Sequence, residues 1–157
     1  MSLIFKRTRD IDAIMEIVED WGIFFDEDSY DEIEEDTESD EVFAAFDSDT
    51  KKMLGFIILC ELNPEVIEIT WMAVAKKSKG QGIGQQLLTF ALNALCDKHP
   101  YKMAMAKTIG EGDTQKSFAN TRRFYLKYGF VALDSIRPYP GWHKSKYVQT
   151  FVKCLQH

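Results

Sequence analysis

The segment Lys79-Gly80-Gln81-Gly82-Ile83-Gly84 constrains the fold more than any other stretch of the chain. Its three alternate glycines separate two runs of different periodicity. Before it, Glu65–Val74 is rich in Val, Ile, Thr and Trp, as strands are. After it, Gln85–His99 carries Leu87, Leu88, Ala91, Leu92 and Leu95 on one broad stripe, which predicts an amphipathic helix stopped by Pro100. Tyr101–Ile109 then alternates Met103, Met105 and Lys107 against Ala104 and Ala106, the period of a strand. Strand, helix and strand at this spacing form a crossover, so these two strands are expected to run parallel.

The chain before Glu65 reads differently. Leu3–Thr8 alternates as a first strand. Asp10 can cap a helix whose Ile11, Ile14, Met15, Val18 and Trp21 share one face. Val42–Phe46 and Met53–Leu62 flank the turn residues Asp47-Ser48-Asp49-Thr50 and should form a hairpin. The sheet is therefore expected to begin antiparallel. Beyond Ile109 come a loop, a helix over Ser117–Tyr128 ended by Gly129, and strands at Phe130–Ile136 and Tyr147–Leu155. The expected class is α/β, with a mixed sheet of about seven strands flanked by about four helices. At 157 residues, and with no linker or internal repeat, the chain reads as a single domain over 1–157.

Charge is segregated along the chain. From Asp10 to Thr50 there are eighteen Asp or Glu and no Lys or Arg, which leaves seven acids against all nineteen bases in the remainder. The stretch Asp26–Glu41 alone holds eleven acids in sixteen residues. Like charges at i,i+4 repel, so this arm is expected to be a short helix or a mobile segment at best. A solvated charge run explains such an arm; a cationic ligand would also suit it, as an anionic ligand suits the basic body. The net charge of −6 disfavours general nucleic-acid binding. No apolar run approaches a membrane span and no secretory leader is evident, so a cytoplasmic location is expected. Cys60, Cys96 and Cys154 are odd in number and show no metal or disulfide spacing, and each lies in an apolar stretch. They are expected to be small buried hydrophobes, and no metal is expected.

A glycine-rich turn at a helix start is an anion site in waiting. Glycines let the backbone turn tightly, and the first amides of the helix have no intrahelical acceptor. Lys76, Lys77 and Lys79 add positive charge beside it. Two common phosphate loops do not fit. A P-loop needs Gly-Lys-Ser or Gly-Lys-Thr at its end, whereas Gly84 is followed by Gln85-Gln86. A dinucleotide fingerprint needs G-x-G-x-x-G, whereas the spacing here is G-x-G-x-G.

Val74 through Leu88 instead resembles the coenzyme A loop of the GNAT superfamily of N-acetyltransferases, with Lys79, Gly82 and Gly84 at the positions of the family's Arg or Gln, Gly, and Gly or Ala. Lys79 departs from the usual residue, a small change if the loop works through backbone amides. Asn120-Thr121-Arg122-Arg123-Phe124-Tyr125 followed by Gly129-Phe130 looks like the family's second motif. The resemblance implies acetyl-CoA as cosubstrate and an amine as acceptor. It implies that Met72, Ala73 and Val74 offer backbone groups to the pantetheine arm, with Met72 or a neighbour supplying an oxyanion donor. The diphosphate would lie on the loop over Lys79, Gly80, Gln81, Gly82, Ile83, Gly84 and Gln85. Asn120 would bond the pantetheine amides or cap a turn, and Tyr125 would stand beside the sulfur as the acid.

Transfer to an amine needs a base, because an alkyl ammonium of pKa ~10.4 is mostly protonated at neutral pH. Glu68 is the first candidate, since some members carry a catalytic Glu at that distance from the loop. Acids of the Asp26–Glu41 arm, Glu111 and Asp113 are alternatives, and His143 could line the acceptor site. The acceptor is expected to be a cationic small molecule or a lysine side chain. A noncatalytic coenzyme A sensor on the same fold is the competing function. The apolar last strand could pair across a homodimer.

Overall fold

The computed structural model describes residues 2–22, 27–110, 118–144 and 146–156. Its strands are β1 (Leu3–Arg7), β2 (Glu41–Asp47), β3 (Met53–Asn63), β4 (Val66–Val74), β5 (Met103–Ile109), β6 (Val131–Ile136) and β7 (Val148–Cys154). Its helices are α1 (Ile11–Trp21), α2 (Glu27–Ser39), α3 (Ile83–Lys98) and α4 (Ala119–Lys127). The strands form one sheet in the order β1-β2-β3-β4-β5-β7-β6. β1 pairs antiparallel with β2, and β2 with β3. β4 pairs parallel with β5, as the crossover through α3 requires. The expected α/β class, mixed sheet and element count are those of the structure. The chain forms two compact units: Met1–Cys60 with Thr70–His99, and Glu61–Ile69 with Pro100–His157. Among the described residues, no helix is long and apolar enough to cross a membrane.

In the first unit, the Asp10 side chain caps α1 by accepting from the Ala13 amide at 3.1 Å. The face this helix presents, Ile14, Ile17 and Val18, is buried with Val42, Ala44 and Phe46 of β2 and Phe56 and Ile58 of β3. The alternate residues of these strands face the other way. Ala45 and Leu54 are buried with Ile83 at the start of α3, and Leu3, Phe5 and Val74 pack around them. Phe90 of α3 stacks on Phe5 and meets Phe43 edge-on, at centroid distances of 5.6 and 5.9 Å. The period-2 and period-3.6 patterns thus meet in one place and fix where α3 begins.

The acidic arm is more ordered than its charge suggests, because α2 is a helix of thirteen residues. Tertiary contacts supply what propensity lacks. Ile33 is fully buried in the α1 cluster and Tyr30 packs against it. The Thr37 hydroxyl donates to the Ile33 carbonyl at 2.7 Å. Trp71 of β4 donates its indole N–H to Asp36 at 2.8 Å. Arg9 donates to the carbonyls of Thr37 and Asp40, at the end where helix carbonyls lack amide partners and the dipole favours a cation.

In the second unit, β7 pairs antiparallel with both β5 and β6. The last strand is therefore interior to the sheet, and its backbone has no free edge with which to join a second copy. That corrects the route to a homodimer expected from the sequence. Val148 and Phe151 are buried on this strand, and Tyr125, the one buried residue of α4, stacks on Phe151 at 5.6 Å. The cysteines also differ from expectation. Cys60 and Cys96 are half-buried, and Cys154 is exposed where β7 runs out. Phe151→Ala removes a fully buried ring and should cost about 3–5 kcal/mol. Leu133→Ala, at an exposed position of β6, should change stability by no more than about 0.5 kcal/mol. Urea unfolding of the two variants checks the contrast.

Candidate active site

The amino end of α3 is built from backbone. After β4 the chain makes a single 3-10 turn over Lys76–Ser78, and Ser78 is buried. Gly80 and Gly82 then take φ of +81° and +76°, values at which a side chain is strained. Gly82 is the cap of α3, and no side chain caps it. The first helical bond runs from the Gln86 amide to the Gly82 carbonyl at 3.2 Å. The amides of Ile83, Gly84 and Gln85 precede it and so have no acceptor within the helix. Lys77, Lys79, Gly80, Gln81, Gly82 and Gln85 are exposed around these donors, while the Ile83 side chain is buried and anchors the turn. Gln81 and Gln86 also edge a cavity of about 400 Å³ lined by Leu3, Phe5 and Ile83. Amides without helical acceptors, a positive dipole and lysines fit an anionic group such as a diphosphate.

Met72, Ala73 and Val74, the carboxyl end of β4, are half-buried. β3 approaches closely here because Gly55 has no side chain: a Cβ at Gly55 would lie 3.2 Å from the Ala73 carbonyl oxygen. The Trp21 indole N–H donates to the Val74 carbonyl at 2.8 Å.

Glu68 is buried in the second unit, where it pairs in register with Met105 of β5. Lys107, two residues further along β5, places its ammonium 3.1 Å from Glu68 Oε1. Tyr139, from the segment between β6 and β7, lies with its ring centroid 5.2 Å from the same ammonium. Burial alone would lower the Lys107 pKa. The hydrogen bond and charge of Glu68, helped by Tyr139, outweigh it and hold Lys107 above the ordinary lysine value. Sequence reasoning found Glu68 but missed both partners. The alternation of β5 placed Lys107 on the face of Met105, yet only the β4–β5 register brings it to Glu68. Tyr139 has no local signal.

Tyr125 is buried within an aromatic cluster, with Phe124, Phe130 and Phe151 at centroid distances of 5.4, 5.1 and 5.6 Å. Burial raises its phenol pKa above the usual tyrosine value. Asn120 is exposed in the first turn of α4 and accepts from Arg123. It does not cap the helix, whose cap position is Phe118. His143 is exposed, and Glu111 and Asp113 lie outside the described residues. On α2, Asp28, Asp31, Glu34, Glu35 and Glu38 are exposed. Burial, and then the charge of Asp36, push the neighbouring Asp40 carboxyl up.

Comparison with known proteins agrees with this geometry. Residues 38–132 match the model of the acetyltransferase (GNAT) domain family. No curated protein matches the chain by sequence. Among solved structures, a protein from Desulfovibrio desulfuricans described as a GNAT-family acetyltransferase superposes with a TM-score of 0.81 at 21% identity, over 96% of this chain and 98% of that one. A GNAT-family acetyltransferase from Elizabethkingia anophelis, solved with acetyl-CoA bound, gives 0.71 at 21% identity over 98% of both chains. An IAA acetyltransferase from Bacillus cereus gives 0.73 at 19% identity, over 98% of this chain and 100% of that one. The chain belongs to the GNAT family of acetyl-CoA-dependent N-acetyltransferases.

Proposed function

We propose that the protein transfers the acetyl group of acetyl-CoA directly to a cationic primary amine, a small molecule or a lysine side chain. The observation that carries the cosubstrate half is the uncapped amino end of α3, with its left-handed glycines and neighbouring lysines. These donors would hold the diphosphate, and the end of β4 would offer backbone groups to the pantetheine. The amine nitrogen attacks the thioester carbonyl carbon, a C–N bond forms, the C–S bond breaks and the sulfur leaves as thiolate, which takes up, through solvent, the second proton that the nitrogen sheds in becoming an amide.

Glu68 takes the ammonium proton, directly or through water. The Lys107 ammonium, 3.1 Å from its Oε1, holds this carboxylate in position. The raised pKa of Tyr125 keeps its phenol protonated at neutral pH but makes it a reluctant acid. It therefore serves the leaving sulfur as a hydrogen-bond donor more than as a source of a full proton. Asn120 keeps an amide N–H for the pantetheine while its oxygen is held by Arg123.

The acceptor half rests on α2. Its exposed acids form a field that attracts cations.

Free-thiol release from acetyl-CoA across a panel of cationic, neutral and anionic amines tests the activity. Turnover should favour the cationic members, whereas tight binding of coenzyme A with no turnover by any amine would mark a sensor. Glu68→Gln should lower kcat/KM by about 10²–10⁴-fold without changing the KM for acetyl-CoA. An unchanged rate would remove Glu68 from the role. Lys107→Met removes the cation that positions Glu68, so kcat/KM should fall while the KM for acetyl-CoA stays the same. Lys107 also contributes to stability. With its folded pKa raised, that contribution is complete below the unfolded lysine value of ~10.4 and is lost as pH rises through the folded one. The stability gap between the native protein and Lys107→Met should therefore narrow above about pH 10.4. Changing Asp31, Glu34, Glu35 and Glu38 to their amides should raise the KM for cationic amines and leave neutral amines unaffected; an equal effect on both would overturn the cationic acceptor.

A further inference from the structure

We infer that Trp21 is a positioning residue for coenzyme A, holding the diphosphate loop in its binding form from outside the loop. The inference rests on the reading of that loop as the coenzyme A site. Trp21 is the last residue of α1, 53 residues before Val74 in sequence, and it engages the loop's approach in two ways. Its indole N–H donates to the carbonyl of Val74, the last residue of β4, at 2.8 Å. Its ring carries two of the lysines that follow: Lys76 Nζ lies 5.4 Å and Lys79 Nζ 5.9 Å from a ring centroid. Both distances are within the range of attraction between an ammonium and the negative face of an indole.

The surroundings add to this. The last turn of α1 has no basic residue of its own, so nothing on that helix offsets the negative end of its dipole. The turn bearing Lys76 packs against α1. One side chain thus fixes the point where the chain leaves the sheet and gathers two cations at the edge of the uncapped α3 amides. Free lysines would lose much of their rotamer freedom on meeting a phosphate, whereas lysines already drawn to one surface lose less. Trp21 therefore acts on affinity for the cosubstrate and not on the chemical step.

Two variants separate its two contacts. Trp21→Phe keeps an aromatic face and loses the N–H; Trp21→Leu loses both. Coenzyme A affinity is measured by calorimetry at two salt concentrations, with kcat and KM from thiol release. Trp21→Leu should weaken binding by about tenfold, at roughly three- to fivefold per lysine contact, and flatten the dependence of log Kd on log salt. Trp21→Phe should weaken binding less and keep the native salt slope. Saturating kcat should stay within about twofold for both.

A cycle with Lys76→Ala/Lys79→Ala guards against general loosening of the core. In that background Trp21→Leu should cost no more than Trp21→Phe does. Native affinity and salt slope in a folded Trp21→Leu protein would overturn the inference, as would a full tenfold loss in the lysine-free background. Failure of the native protein to bind coenzyme A at millimolar concentration would instead overturn the loop reading, and this inference with it.

Discussion

Three backbone amides at the start of α3 are the groups on which the rest of this structure turns. A helix must leave its first N–H groups without internal acceptors, and most helices cover them with a side chain. Here the cap is Gly82 at a positive φ, with no side-chain bond to the first turn. The buried Ile83 ties the turn to the core, so the donors are fixed in place. β3, β4 and α1 supply the fixed background, through the close approach at Gly55 and the Trp21 bond to Val74.

Charge is segregated in the fold as it is in the sequence. The lysines follow β4, the acids occupy α2, and buried Glu68 pairs with half-buried Lys107. A pair partly withdrawn from water is weak evidence for stability, because desolvation cancels much of the attraction. Its placement on the strand that leads to the loop gives it a functional reading.

Much of this was legible in the sequence, for physical reasons. The strands and α3 have strong periodicity, and the change of period across the glycines determines a parallel crossover. The glycine-rich turn is local, so its geometry could be read from six consecutive residues. What could not be read depends on register or on distant partners. The persistence of α2 follows from Arg9, Trp71 and the burial of Ile33, none of which offsets like-charge repulsion in a local window. Lys107 reaches Glu68 only through the β4–β5 register. Tyr125 was identified by motif, yet its burial among three aromatic rings, which weakens it as an acid, depends on β7 lying between β5 and β6.

The amides themselves can be observed. Titration of the 15N-labelled protein with coenzyme A, followed by two-dimensional NMR, reads each backbone N–H separately. The account predicts that Ile83, Gly84 and Gln85 shift downfield together and saturate with the same affinity, as each gains a charge-assisted bond. Shifts confined to other parts of the chain, or none at millimolar coenzyme A, would contradict it.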